Sequence, residues 1–197
     1  MESSVAICRY GSNEGWKMKS VPIFILAVLA IAPGRAICEV TDSAVNGFTV
    51  KAMVQIQSPP DEVYRRFIHN VGDWWSSAHT FSRNSHNLSI DEKVMGCFCE
   101  KLANGGSVRH LEVVLLAPGK TIVLLGGLGP LQSLATTGSL TVSLSPAEGG
   151  TRLEFTYAVA GYVPQGMKIW AGPVDGMLTE QFTRLKNYIE KGDPAAK

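Results

Sequence analysis

Apolar and polar residues alternate through the stretch that begins at Phe48. Phe48, Val50, Ala52, Val54 and Ile56 share one side, and Thr49, Lys51, Met53 and Gln55 the other. A period of two predicts a half-buried strand. Ser58-Pro59-Pro60-Asp61 then ends the strand and starts a helix, because proline is tolerated in a first turn. Val63, Tyr64 and Phe67 give that helix a short apolar face. A second short helical turn holds Val71, Trp74 and Trp75. Adjacent tryptophans cannot both point inward from one short helix, so one is expected in the core and the other at a cavity end or its mouth, with core packing of both as the alternative to a binding role. Residues 76–87 are polar and loop-like, with His79, Phe81 and His86 among them.

From Leu88 onward the pattern is one of strands with tight connections. Strands are predicted over 94–102, 108–116, 121–125, 138–144 and 152–159, the last with Leu153, Phe155, Tyr157 and Val159 on one face. Asn104-Gly105-Gly106 reads as a hairpin turn. Short connections make neighbouring strands antiparallel. The segment KTIVLLGGLGPLQ, residues 120–132, breaks the rhythm: an apolar strand runs into three glycines and a proline and must bend there. Leu128 and Leu131 sit on that bend, where the mouth of an apolar pocket is expected. A bulky substitution at Gly127 should then impair ligand uptake more than stability.

The chain ends in a helix. Val174, Met177, Leu178, Gln181, Phe182, Leu185, Tyr188 and Ile189 recur at steps of three and four, and Pro173 is expected to start this helix or kink it away from residues 167–171. One strand, two short helices, a run of antiparallel strands and one long helix make an α+β layout. A twisted sheet curled round one terminal helix leaves a gap between the two.

The first segment has a different character. Lys17 and Lys19 precede an apolar run over 21–32, followed by Pro33, Gly34, Arg35 and Ala36. Basic residues, about a dozen apolar ones and small residues before a cut describe a secretory signal peptide. The run falls short of the roughly 20 residues a membrane span needs. Residues 1–36 are read as an N-terminal extension and signal peptide, with Met18 as the true start, 37–45 as a linker, 46–191 as the domain and 192–197 as a tail. An exported protein, periplasmic or secreted, is expected. Without residues 1–36 the net charge moves from +1 to about −1, which leaves no electrostatic footprint for nucleic acid. Cys38, Cys97 and Cys99 remain, an odd number that makes no complete disulfide framework. A bridge within one strand between Cys97 and Cys99 would be strained.

The order of elements resembles the helix-grip fold of the START-like superfamily, also called SRPBCC. The chain is similar to its polyketide cyclase and Hsp90-ATPase-activator-homologue branch. The resemblance rests on Val63-Tyr64-Arg65-Arg66-Phe67, Gly96-Cys97-Phe98-Cys99-Glu100, the Gly-Gly-Leu-Gly-Pro-Leu-Gln run, and Val174-Asp175 through Gln181-Phe182-Thr183-Arg184-Leu185-Lys186. It implies a curved antiparallel sheet wrapped around a long C-terminal helix, with two short helices near the N-terminus. It also implies a hydrophobic cavity for lipids, polyketides, hormones or other apolar molecules. An export signal departs from the cytosolic co-chaperone members.

The expected function is binding of a small apolar ligand between sheet and terminal helix, with no cofactor. The expected wall is Phe98, Leu128, Leu131, Tyr157, Met177 and Gln181, with Trp75 at one end. Tyr157 and Gln181 are the candidate polar handles. The rival readings are a cyclase, dehydratase or hydrolase using His110 and Glu112 as acid and base, and an interaction module whose interior is filled by its own side chains. If the hairpin loop is even-numbered, Cys97, Cys99, His110 and Glu112 share a face, and Cys97, Cys99 and His110 form a weak zinc candidate. Small buried cysteines beside a hydrogen-bonded histidine are the plainer alternative. Glu100 and Arg109 are placed on the opposite face as an exposed ion pair. His79 and His86 are read as solvated loop histidines, with proton transfer by either as the alternative.

Overall fold

The computed structural model describes residues 37–196, with side chains from Glu39 onward. The expected leader, its start at Met18, Cys8 and the Cys38 side chain lie outside the described residues. Eight strands form one antiparallel sheet: β1 (Ile37–Ser43), β2 (Gly47–Ile56), β3 (Leu88–Ile90), β4 (Cys97–Lys101), β5 (Ser107–Ala117), β6 (Thr121–Gly126), β7 (Ala135–Ala147) and β8 (Gly150–Tyr162). Their spatial order is β1-β2-β8-β7-β6-β5-β4-β3. Helices α1 (Pro60–His69) and α2 (Val71–Trp74) follow β2, and α3 (Lys168–Lys191) closes the domain. This is an α+β helix-grip architecture. The alternation along β2 holds in full, with Phe48, Val50, Ala52, Val54 and Ile56 all buried. Facing them, Val174, Leu178, Phe182 and Leu185 of α3 enter the same apolar core. Among the described residues no helix is long and apolar enough to cross a membrane.

Four features differ from the sequence-based expectation. Residues 37–45 are not simply a linker, because β1 pairs with β2 from Ile37 onward. Its exposed Glu39 and Asp42 suit an edge strand and hide the pairing from a hydropathy pattern. The strand expected over 94–102 is shorter, β4 at 97–101, because Met95 takes a left-handed φ of 63° in a turn, and β3 at 88–90 precedes that turn as a further strand. α3 starts at Lys168, so Pro173 lies inside it. Proline there forgoes one hydrogen bond within the first two turns, and the helix start is fixed instead by Met167 N–H donating to Val45 O at 2.8 Å. Finally, Trp74 and Trp75 are both buried. α2 ends at Trp74 and Trp75 is extended, so the chain turns between them and their rings meet at 5.4 Å.

Candidate functional site

A cavity of about 390 Å³ lies beside the N-terminal half of α3. Its sheet side is Leu88, Phe98 and His110, and its helix side is Trp170, Pro173, Val174 and Met177. Leu128, Gly129, Pro130 and Leu131, from the turn after β6, form a third wall. The loop after α2 supplies the fourth through Trp75, Ala78, His79, Thr80 and Phe81. Trp75, Phe98, Leu128, Leu131 and Met177 were expected from the sequence and are brought together here. The surroundings are mostly aromatic and aliphatic, with a few polar groups, the usual make-up of a small-molecule site.

Two of the expected wall residues serve the wall from behind. Tyr157 Oη donates to Gly126 O at 2.9 Å and accepts from Leu128 N at 3.2 Å, which spends both capacities on the bend after β6. Burial pushes its phenol up to about 12. Gly138 makes room for that ring, since a Cβ there would stand 2.6 Å from it. Gln181 is fully buried. Its Oε1 accepts from Ser76 N at 2.8 Å and its Nε2 donates to Met177 O at 3.4 Å. Neither residue lines the cavity. Both point inward as expected, but their hydrogen bonds go to the protein. The expectation for Gly127 also changes: a Cβ there would sit 3.0 Å from the Leu131 backbone, so a larger residue strains the turn itself.

The loop after α2 is fastened at both ends. On the α3 side, Gln181 takes Ser76 N–H, His79 Nε2 lies 2.9 Å from Glu180 Oε2, and Arg184 Nε donates to Trp74 O at 2.9 Å. On the sheet side, the Glu100 carboxylate accepts from Phe81 N at 3.1 Å and from Ser82 N. His79 is thus a cavity residue paired to α3. His86 stays outside, 3.6 Å from Asp73.

The polar centre of the site depends on a bulge. Lys101 pairs with Ser107, so the β4–β5 loop has an odd number of residues, and Cys99 faces Arg109 while Phe98 faces Leu111. His110 is the extra residue between them. A bulge places two consecutive side chains on one side, and His110 and Leu111 are accordingly both buried. The expected group of Cys97, Cys99, His110 and Glu112 is therefore dispersed. Cys97 and Cys99 are joined as a disulfide across a Cα–Cα distance of 5.2 Å, and their sulfurs are not metal ligands. Among the described residues no set of three or more His, Cys, Asp or Glu is placed to hold a metal ion. Glu112 turns outward to Arg109 at 2.6 Å, so it is not the acid–base partner of His110.

That partner is Glu100, which is not exposed and not paired with Arg109. Glu100 is 0% exposed, and its Oε2 lies 3.0 Å from His110 Nε2. Burial raises the Glu100 carboxyl, but hydrogen bonds from Ser82, Phe81 and His110 outweigh it and hold the group below the usual carboxylate range. Burial pushes His110 below its ordinary value, against the opposing pull of Glu100. The alternation that puts Phe98 on the inner face puts Glu100 there too, and that parity was the available signal. The His110 ring lies 5.3 Å from Phe98 and 5.9 Å from Phe81, stacked on the latter.

No protein-family model matches the sequence, and no curated protein matches it. Solved structures match in fold. EF2215 from Enterococcus faecalis has a TM-score of 0.55 at 15% identity, over 82% of this chain and 80% of its own. The Aha1 dimer from Colwellia psychrerythraea gives 0.52 at 16% identity, over 73% and 97%. DynU16, from the dynemicin biosynthetic locus, gives 0.51 at 16% identity, over 76% of this chain and 49% of its own. Likeness at such identities bears on architecture alone. In architecture the chain has a helix-grip fold, as the resemblance read from its sequence implies.

Proposed function

We propose that this protein is exported and binds a small apolar molecule, such as a lipid or polyketide, in the cavity between the sheet and α3. The observation that carries the reading is the cavity itself, about 390 Å³ between the sheet and α3 and lined mostly by aromatic and aliphatic side chains. An interaction module filled by its own side chains would have no such space. Burial of apolar ligand surface would drive binding at about 25 cal/mol per Å². The neighbour from a biosynthetic locus is in keeping with a polyketide-like ligand, and the basic-apolar-small pattern of residues 17–36 supports export.

The test is native mass spectrometry of protein taken from its own host's envelope, with titration of the emptied protein by N-phenyl-1-naphthylamine. A co-purified apolar molecule and saturable dye binding that Met177→Trp weakens at least tenfold are expected. An empty protein that takes up no dye would overturn the reading. Amino-terminal sequencing of the same sample tests export, which a chain retaining residues 19–36 would overturn.

A further inference from the structure

Resting on that reading, we infer that His110 is the cavity's hydrogen-bond acceptor and selects apolar ligands that carry an acidic hydroxyl, a phenol or an enol.

The argument starts from proton count. Glu100 is ionised and can only accept, and it already takes N–H groups from Phe81 and Ser82. The His110 nitrogen facing it, Nε2, must therefore carry the ring's proton. In the neutral ring the other nitrogen, Nδ1, then has a free lone pair. Nδ1 makes no hydrogen bond among the described residues. Among the described residues, Asn70 Oδ1, Trp170 Nε1 and Asp175 Oδ1 are sealed polar side-chain atoms without a partner. Nδ1 is unpartnered yet not among these sealed atoms, so it is open to the space that His110 lines.

The surroundings narrow the ligand further. Phe81 stacks on the His110 ring and Phe98 lies tilted against it, with Trp75 edge-on to Phe98 at 5.5 Å, and all four line the same cavity. A flat ring fits such walls, and its hydroxyl would donate to Nδ1. The carboxylate behind Nε2 strengthens the acceptor, because any proton density gained at Nδ1 is balanced by Glu100. Glu100 is thus a positioning residue: it fixes the tautomer and ring orientation without reaching the ligand. Burial that disfavours the imidazolium keeps the lone pair available at neutral pH.

Three probes decide the matter by calorimetry on the full folded protein: 2-naphthol, 2-methoxynaphthalene and naphthalene. The ether keeps the ring and the oxygen but lacks the donor. 2-Naphthol should bind about tenfold more tightly than either, and His110→Phe should lower its affinity to the level of the ether. Equal binding of all three by wild type overturns the hydroxyl preference and leaves the apolar cavity standing. A preference that survives in His110→Phe assigns the acceptor elsewhere and also overturns it. Binding of none overturns the cavity reading and this inference together. The wild-type comparison needs no variant to fold.

Discussion

Glu100 and His110, ten residues apart in sequence, meet at 3.0 Å inside the domain, with the carboxylate also holding the backbone of Phe81 and Ser82. One side chain thus joins β4, the bulge in β5 and the loop that walls the cavity. Removing it strands two N–H groups and a buried imidazole. Glu100→Ala should cost about 3–5 kcal/mol, the range for breaking a buried pair from one side. Glu100→Gln, which still accepts, should cost less. Urea unfolding midpoints of the two variants against wild type check this ordering.

Acid should weaken the fold through the same pair. A carboxylate held below its ordinary value of 4.5 contributes stability that is present above that value and lost as pH falls through the folded one. A histidine held below 6.5 is protonated more readily in the unfolded chain, so its contribution is complete above 6.5 and declines below it. Both act in one direction. Stability should fall from about pH 7 to pH 5, and His110→Phe should flatten that part of the profile. Denaturant midpoints at half-unit pH steps give the comparison, and identical slopes would remove His110 from the account.

Tyr157→Phe isolates the hydroxyl that fastens the bend after β6. It leaves Leu128 N–H and Gly126 O without their partner. A loss of about 1–3 kcal/mol is expected, with faster amide exchange confined to residues 126–131. Loss of stability without local exchange would mean that the hydroxyl acts elsewhere.

Two glycines of that bend should respond differently to alanine. Gly126 has φ 143°, and a Cβ there would lie 2.7 Å from His110 O. Gly126→Ala should therefore cost about 1–3 kcal/mol and disturb the bulge that carries His110. Gly129 has φ 54° with nothing within 4 Å of a Cβ, so Gly129→Ala should cost about 1 kcal/mol, the left-handed penalty alone. Thermal midpoints rank the two, and the reverse order would contradict the placement of the bend.

Strand alternation and helical periodicity were enough to read the inner faces of β2, β8 and α3 from sequence, and five of the seven expected wall residues line the cavity. What stayed hidden depends on pairing rather than pattern. The bulge at His110 exists only relative to β4, and its register follows from a loop whose length in residues the turn motif did not fix. Glu100 lies on the face opposite Cys97 and Cys99 as expected, but that face is the inner one it shares with Phe98, and its partner is His110 rather than Arg109. Tyr157 and Gln181 were rightly turned inward, but inward polar groups find protein partners as readily as ligands. Pro173 reads locally as a helix start or a kink, because the tertiary contact at Met167 that sets the true start is invisible in the sequence.

Because His110 has no residue opposite it on β4, its side chain can be exchanged without touching a ladder pair. Phe98 with Leu111 and Cys99 with Arg109 keep their register whatever occupies the position. Position 110 can thus change its side chain without a change of strand register, and what limits the choice is the buried Glu100 carboxylate, which needs a donor there. For anyone re-engineering this scaffold, donors that keep the contact to Glu100 are the substitutions that vary ligand preference there at least cost to the fold.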